Sequence, residues 1–104
     1  MTPAGHPLNR ERRAEALLGR VLAFDGTTVA VARDGEVVAR FPVRLVTRVR
    51  QVREPLGIVV HIWWKGDRGT HTKRGTVSLA FTFEQWARAK PIVVDIDLAA
   101  LGPH

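Results

Sequence analysis

A tryptophan flanked by cations is the feature of this sequence best suited to chemistry. Period-two alternation through a predicted strand over residues 56–65 places Trp63 on one face with His61 and Lys65. An aromatic ring beside cations on a sheet surface is a platform on which a nucleic-acid base stacks. The alternative interpretation is that a second layer, such as an N-terminal helix, covers Trp63 and makes it part of the core.

Positive charge is concentrated around this strand. The chain has 104 residues and a formal net charge of +6, from 16 lysines and arginines against 10 acidic residues. Residues 37–83 hold nine of these cations and only two acids, Glu54 and Asp67, which gives that segment a net charge of +7. A local excess of this kind is typical of a polyanion-binding surface, although an arginine-rich composition also spreads over surfaces that bind nothing. The arginines that we expect to contact phosphates are Arg40, Arg44, Arg48, Arg50 and Arg53.

A glycine-rich basic segment over residues 66–75 extends this candidate site. We expect it to be a ten-residue loop between two long strands, with three glycines and only Asp67 opposing its cations. Glycines let backbone N–H groups face an anion, and basic side chains neutralise phosphates. The glycine spacing is not that of a P-loop, and a solvated hairpin tip is the alternative interpretation. The residues that we expect to join the nucleic-acid site here are Lys65, Arg68, Lys73 and Arg74, beside His61 and Trp63.

The acids, histidines and nucleophiles give little support to catalysis. Asp95 and Asp97, two residues apart on a predicted strand, could hold Mg²⁺ together with Glu84, but pairing with arginines on a solvent face is the simpler explanation. The single serine, Ser78, has no Gly-x-Ser-x-Gly elbow, and cysteine is absent. No zinc-ligand spacing relates the four histidines, which are His6, His61, His71 and His104. We therefore expect no enzymatic activity, no metal and no cofactor.

The elements that would position the site begin with an arm and a short helix. Residues 1–7 contain two prolines and a glycine, which predicts a flexible N-terminal arm, and residues 8–104 are expected to form one basic domain. Asn9 is a good N-cap for a helix over residues 10–18, with Gly19 just past its end. The apolar stripe that predicts this helix consists of Ala14, Leu17, Leu18 and Val21.

Three short strands are predicted next, over residues 20–25, 27–33 and 36–42. The Asp-Gly pairs 25–26 and 34–35 lie between them. Because Asp-Gly supplies the positive φ angles of a tight hairpin turn, this spacing predicts a meander.

The segment over residues 43–53 fits two structures. Its apolar residues repeat as in a helix, whereas its valines and interleaved arginines suit an exposed strand. Because β-branched valine favours strands, we expect a turn followed by a strand. Two long strands follow, over residues 56–65 and 76–83, and one face of them should be core. The predicted core face consists of Leu56, Ile58, Val60, Ile62, Trp64, Val77, Leu79, Phe81 and Phe83.

The last predicted elements are a short helix and a strand. Thr82 and Gln85 have the spacing of a capping box, which predicts a helix over residues 83–90 with Trp86 in the core. Pro91 should end this helix. Beyond it, Ile92, Val94, Ile96 and Leu98 alternate with polar and apolar neighbours, which predicts a final strand.

The stretch over residues 38–64, VARFPVRLVTRVRQVREPLGIVVHIWW, resembles bacterial PH-like domains. In those domains a strand, a short turn with an apolar residue and a basic strand lead into a long strand. The resemblance covers about a quarter of the chain. The helix over residues 83–90 fits it, whereas the strand predicted after that helix departs from the pattern. The resemblance implies a topology and no functional residue.

We therefore predict an α+β fold: a small, strongly bent antiparallel sheet or partly open β-barrel, with a short N-terminal helix and a short helix before the last strand. The ordinary globular composition, 45% hydrophobic and 25% charged, excludes overall disorder. The N-terminus has charges where a signal peptide needs an apolar stretch, and no apolar run is long enough for a transmembrane helix, so we expect a cytoplasmic protein.

The leading functional hypothesis is a non-enzymatic nucleic-acid-binding protein, with DNA or RNA as its partner. The alternative is a protein-interaction or homo-oligomeric assembly module, in which a strand edge with Val59 and Trp63 meets an acidic protein surface or a second copy. One continuous basic face would favour the first hypothesis. Arginines scattered over several faces would favour the second.

Overall fold

The computed structural model describes residues 11–68 and 71–102. Within them, seven strands form two antiparallel sheets, and one α-helix follows the last strand. The first sheet consists of four strands in sequence order, β1 (Arg12–Glu15), β2 (Arg20–Phe24), β3 (Thr28–Arg33) and β4 (Glu36–Pro42). The second sheet and the helix consist of β5 (Val46–Glu54), β6 (Gly57–Arg68), β7 (His71–Thr82) and α1 (Phe83–Ala100).

The fold is mostly β with one helix, so the predicted α+β class is confirmed at this level. The single bent sheet or partly open barrel is not confirmed, because the strands divide between two sheets. Residues 1–7, predicted as an arm, lie outside the described residues. No helix in the described part of the chain is long and apolar enough to cross a membrane.

The meander of β2, β3 and β4 is confirmed. At the second Asp-Gly pair both Asp34 and Gly35 have positive φ, 51° and 88°, as a tight two-residue hairpin turn requires. The first pair turns differently, because only Gly26 has a positive φ. There the Asp25 carboxylate accepts hydrogen bonds from the backbone N–H groups of Thr27 and Thr28, at 2.8 and 2.7 Å. The side chain of Asp25 therefore reinforces this turn, whose backbone closure is the long hydrogen bond of 3.4 Å from the Asp25 N–H to the Thr28 carbonyl.

This turn should make stability depend on pH at the acid end. The N–H groups of Thr27 and then Thr28 lower the pKa of Asp25 from its ordinary value of 3.8, because they favour the ionised carboxylate. A carboxyl group with a lowered folded pKa stabilises the fold above its unfolded pKa and loses that contribution as pH falls through the folded one.

Asp25→Ala should lower the free energy of unfolding by about 1 kcal/mol at neutral pH, the net value of a typical hydrogen bond. The deficit relative to the unsubstituted protein should shrink as pH falls below 3.8, the ordinary pKa of this group, and through its lowered pKa in the folded protein. Thermal melts at neutral and acid pH measure it, with Asp25→Asn as the control that keeps an acceptor oxygen. A deficit that is the same at both pH values would show that the carboxylate is not the stabilising species.

The predicted N-terminal helix is wrong over its described residues. Residues 12–15 form β1, which pairs with β2 from Arg12 opposite Phe24 to Glu15 opposite Val21. Leu18 and Gly19 then have positive φ angles, 62° and 70°, so the chain reverses in a tight turn instead of ending a helix. The supposed apolar stripe is divided by this turn, since Ala14 is buried in the core whereas Leu18 is 78% exposed.

The turn and strand predicted after β4 are confirmed. A short 3-10 turn, Val43–Leu45, leads into β5, and the Val43 N–H donates to the Thr27 carbonyl at 2.8 Å. The order of strand, turn, strand and long strand is the one that the resemblance to PH-like domains implied.

The hairpin of β6 and β7 replaces the predicted ten-residue loop. The backbone register continues from Trp64 opposite Gly75 to Arg68 opposite His71. Residues 66–68 and 71–75 are therefore strand, and the prediction of a loop over 66–75 is wrong for them. β5 accompanies β6 only as far as Trp64, so the hairpin beyond that point is two-stranded.

The predicted short helix and final strand are one continuous helix. The capping box is confirmed, since the Gln85 N–H donates to Thr82 Oγ1 and the Thr82 N–H to Gln85 Oε1, each at 3.0 Å. Pro91 lies inside the helix and is exposed, so the carbonyl that loses its N–H partner lies on the solvent side. The helix buries residues spaced three and four apart, which are Ala89, Ile92, Val93 and Ile96.

The core lies between the two sheets and under α1. The predicted core face of β6 and β7 is buried or packed on the core from Ile58 to Trp64 and from Val77 to Phe81. The predicted core placement is wrong for two residues. Leu56 is 86% exposed in the turn before β6, and Phe83 is 44% exposed at the start of α1. Trp86 packs on the core with its ring centroid 5.8 Å from that of Phe81, as predicted.

Trp64 is a partly buried side chain that packs against the edge of this core. Its ring stacks on Phe41, with centroids 5.3 Å apart and an interplanar angle of 17°. Trp64 also lies over its cross-strand neighbour Gly75, where an added Cβ would be 2.4 Å from the indole. Gly75 is therefore needed for close packing of the indole and not for loop flexibility.

Candidate nucleic-acid interface

The candidate site is the surface of the second sheet that is turned away from Val60 and Ile62, which we call the outer face. Strand neighbours in an antiparallel register share a face, and alternate residues along each strand do so too. The register therefore assigns the following residues to the outer face: Arg48, Arg50, Val52, Glu54, Gly57, Val59, His61, Trp63, Lys65, Arg74, Thr76, Ser78, Ala80 and Thr82. The outer face thus carries one described carboxylate, that of Glu54, at the end remote from Lys65.

Trp63 is at the centre of this face and is half-buried. The guanidinium carbon of Arg48 lies 5.3 Å from the Trp63 ring centroid, and the His61 ring lies 5.7 Å away at 44°. Both contacts come from the same face of the same sheet. Because the predicted N-terminal helix is a strand in the other sheet, it does not cover Trp63.

A hydrogen bond across the strands orients His61. Its Nδ1 lies 2.7 Å from Ser78 Oγ, on the strand opposite, and Arg50 is its register partner on β5. This contact holds the imidazole plane beside Trp63, so the rows Arg50–His61–Ser78 and Arg48–Trp63–Thr76 lie next to each other across the sheet.

Like charges are paired at the end of the outer face. Lys65 lies directly opposite Arg74, and both side chains are exposed. Like charges at directly opposite positions destabilise a sheet. An anion bound between them would remove this repulsion, so the pair marks the part of the face best suited to a phosphate.

An open cleft of about 850 Å³ connects these groups. β5 contains an irregularity at Thr47, since Val46 pairs with Trp64 and Arg48 with Trp63. Such a bulge bends the strand at this point. No carboxylate is among the described residues of the lining, which are Thr47, Arg48, Trp63, Trp64, Lys65, Arg74, Gly75 and Thr76.

Several predicted site residues do not join this face. Arg40 lies on β4 of the first sheet, opposite Ala30, and Arg44 lies in the 3-10 turn. Arg53 lies over the Phe83 ring, 5.4 Å from its centroid, at the far end of β5. The side chains of Arg68 and Lys73 lie outside the described part of the structure, although their backbones belong to the hairpin.

The predicted placement of Asp95 and Asp97 on one face of a strand is wrong. Asp95 and Asp97 lie on α1, where residues two apart do not share a face. Asp95 instead binds the Arg12 guanidinium at 2.5 Å, which ties the helix to β1. Within residues 11–68 and 71–102, no three acidic, histidine or cysteine side chains form a metal-binding group.

Period-two alternation already placed Thr76 and Ser78 on the same half-polar face as Trp63. Sequence reasoning missed two residues of the cleft, because Gly75 was placed in a loop and the irregularity at Thr47 has no sequence signal. The apolar alternation of β7 could have been extended back past Val77, which would have placed Gly75 opposite Trp64.

Comparison with known proteins gives no family for this chain. No protein-family model matches its sequence, and no curated protein matches it.

Proposed function

We propose that this protein binds nucleic acid through the outer face of its second sheet. The observation that carries the proposal is the Arg48 guanidinium over Trp63, in a cleft whose other described charges are Lys65 and Arg74. Arg50, two residues farther along β5 and opposite His61, lies on the same face. Four cations on one face match the geometry expected of a polyanion site, although Arg40, Arg44 and Arg53 lie elsewhere.

The proposed contacts divide into stacking and neutralisation. Bases stack on aromatic rings and on the planes of arginine guanidinium groups, so Trp63 and Arg48 offer adjacent stacking surfaces. Lys65 and Arg74 neutralise a phosphate at the end of the cleft, where their mutual repulsion makes an anion most favourable. His61, held by Ser78, supports one side of the Trp63 ring.

The preferred ligand is a single strand. The bases of a duplex are stacked on each other and present only their edges, so they cannot lie on Trp63 without unpairing. A sheet face with a half-buried ring and flanking cations is suited to unpaired bases, and stacking tolerates every base. We therefore propose weak sequence preference.

Fluorescence anisotropy with a labelled single strand, its RNA counterpart and the matching duplex tests this proposal. The single strands should bind about tenfold more tightly than the duplex at equal ionic strength. Trp63→Ala should weaken single-strand binding by about tenfold or more, the value of one base stacking contact, whereas Trp63→Phe should keep most of it. Equal affinities for single strand and duplex would contradict the stacking model, and no binding at low salt would end the proposal.

A further inference from the structure

The outer edge of β7 is open along part of its length. β7 is the last strand of the second sheet, so one side of its backbone has no neighbouring strand. The Ala80 carbonyl accepts the Leu17 N–H at 2.7 Å, and the Ser78 carbonyl accepts Arg20 Nη1 at 2.7 Å. Backbone groups of alternate residues point the same way, so those of Thr76 and Arg74 also point away from β6. No hydrogen bond from the described residues reaches them.

A groove runs beside this open edge. It has a volume of about 270 Å³ and lies between β7 and the β2–β4 end of the first sheet. Its walls combine valines with two arginines, and Val38 is 60% exposed beside it. No acidic side chain is among the described residues of the lining, which are Arg20, Val31, Arg33, Val38, Thr76, Val77 and Ser78.

Among the described residues, the arginines of this groove have one ion pair, the loose contact of Arg33 with Asp34. Arg20 uses one nitrogen to bind the Ser78 carbonyl, which leaves its charge uncompensated. Arg33 lies as far as 4.0 Å from the Asp34 carboxylate, and both side chains are largely exposed, so this pair is weak. Glu36 is the register partner of Arg33 on β4 and is exposed, so it offsets the Arg33 charge only through solvent. The groove is therefore apolar on its walls and positive at its rim.

We propose that an extended peptide with alternating apolar and acidic side chains binds here as an added strand on β7. The peptide backbone would bond the free N–H and C=O groups of Arg74 and Thr76, as in other cases of strand addition. Its apolar side chains would contact Val38 and Val77, and its carboxylates would pair with Arg20 and Arg33.

The charge of the groove selects this occupant over two others. A second copy of the chain would bring the same arginines to the same edge, and like charges would oppose the pairing. A nucleic acid has no row of alternating N–H and C=O groups to match a strand edge. The edge shares Arg74 and Thr76 with the outer face, but the peptide would use their backbone groups and the nucleic acid their side-chain surface, so this proposal does not depend on nucleic-acid binding.

The test uses a capped peptide of about seven residues in which Val and Glu alternate, added to the full chain labelled with ¹⁵N. Amide shifts should change at Arg74, Thr76 and Val77. The same peptide methylated on alternate backbone nitrogens keeps every charge and side chain but loses its donors on one edge. It should bind at least about tenfold more weakly. Equal binding of both peptides would overturn the proposal.

A pair of proline variants tests the position of the strand. Thr76→Pro removes an N–H that β6 does not use, so the sheet should remain folded while peptide binding falls by about tenfold. Because bonded pairs alternate across the sheet, Gln51 has the equivalent free N–H on the β5 edge, and Gln51→Pro is the matched control. Equal effects of the two substitutions would contradict the assignment to β7. If Thr76→Pro unfolds, the methylated peptide still decides the question.

Two further outcomes would also overturn the proposal. Shift changes centred on His61 and Trp63 would mean that the peptide binds the outer face as a polyanion. A dimer in light scattering that the peptide does not dissociate would mean that a second copy occupies the edge. A charge exchange gives positive support. Arg33→Glu should lower the affinity for the Val–Glu peptide and raise the affinity for a peptide in which Val and Lys alternate.

Discussion

Replacing Trp64 by alanine should lower the free energy of unfolding by about 3–5 kcal/mol, the cost typical of removing a packed aromatic ring. Its ring stacks on Phe41 and covers Gly75 at the end of the core. Truncation would leave a cavity that the two sheets cannot close, because Phe41 and the backbone of β7 are held by their own strands. Urea denaturation followed by circular dichroism measures the change.

Its neighbour Trp63 provides the matched control. Trp63 lies on the outer face against Arg48 and His61, so Trp63→Ala should cost no more than about 1 kcal/mol. Gly75→Ala should also lower the free energy of unfolding, because its new methyl group must displace the Trp64 indole. If Trp63→Ala unfolds the protein while Trp64→Ala is neutral, the two faces of β6 have been exchanged.

Removing the outer-face cations should abolish most of the salt dependence of nucleic-acid binding. Each phosphate neutralised on a single strand contributes about −0.7 to the log–log slope, so Arg48, Arg50, Lys65 and Arg74 together give about −3. A fourfold rise in salt concentration should then lower the affinity of the unsubstituted protein for a single strand by about sixtyfold. The variant with all four changed to alanine should respond almost flatly.

The control for this experiment removes the same charge from other surfaces. Changing Arg40, Arg44, Arg53 and Arg88 to alanine lowers the net charge equally but leaves the outer face intact. The log–log slope of its affinity against salt should remain near that of the unsubstituted protein. Titrations of a labelled single strand at several ionic strengths measure both slopes. Equal loss of slope in both variants would show a diffuse charge effect and not a defined face.

The sequence contains enough information to predict β2 to β4, β5 and the inner face of β6. Period-two alternation and the Asp-Gly pairs are local signals, and each of these strands has one buried side. The same alternation separated Trp63 from Trp64, which places the former with His61 and Lys65. This part of the candidate site could therefore be predicted before any coordinates.

The two wrong helix and strand assignments have physical causes. Residues 12–15 contain arginine, alanine and glutamate, which favour helix, and only pairing with β2 makes them a strand. After Pro91, the apolar residues fit both a two-residue and a helical repeat, and proline was taken as the end of the helix. On the solvent side of a helix, proline costs less because water can bind the freed carbonyl.

The juxtaposition of Lys65 and Arg74 could not be predicted, because residues 66–75 were assigned to a loop. A hairpin register depends on where the turn falls, and the glycines suggested a turn ten residues long. The contacts of Arg48 with Trp63 and of His61 with Ser78 likewise depend on register across strands. Side-chain partners of this kind require tertiary pairing, which local patterns do not specify.

The end of the β6–β7 hairpin should open and close independently of the unfolding of the core. Beyond Trp64 it is a ribbon of two strands without the support of β5, and an isolated pair of strands is only marginally stable in water. Its bonded amides, those of Gly66 and Arg68, should therefore exchange with solvent by local opening, while those of Val60 and Ile62 exchange only when the core unfolds. Since Lys65 and Arg74 lie at the base of this ribbon, an anion bound between them would slow the local opening and leave the exchange of the core amides governed by global stability.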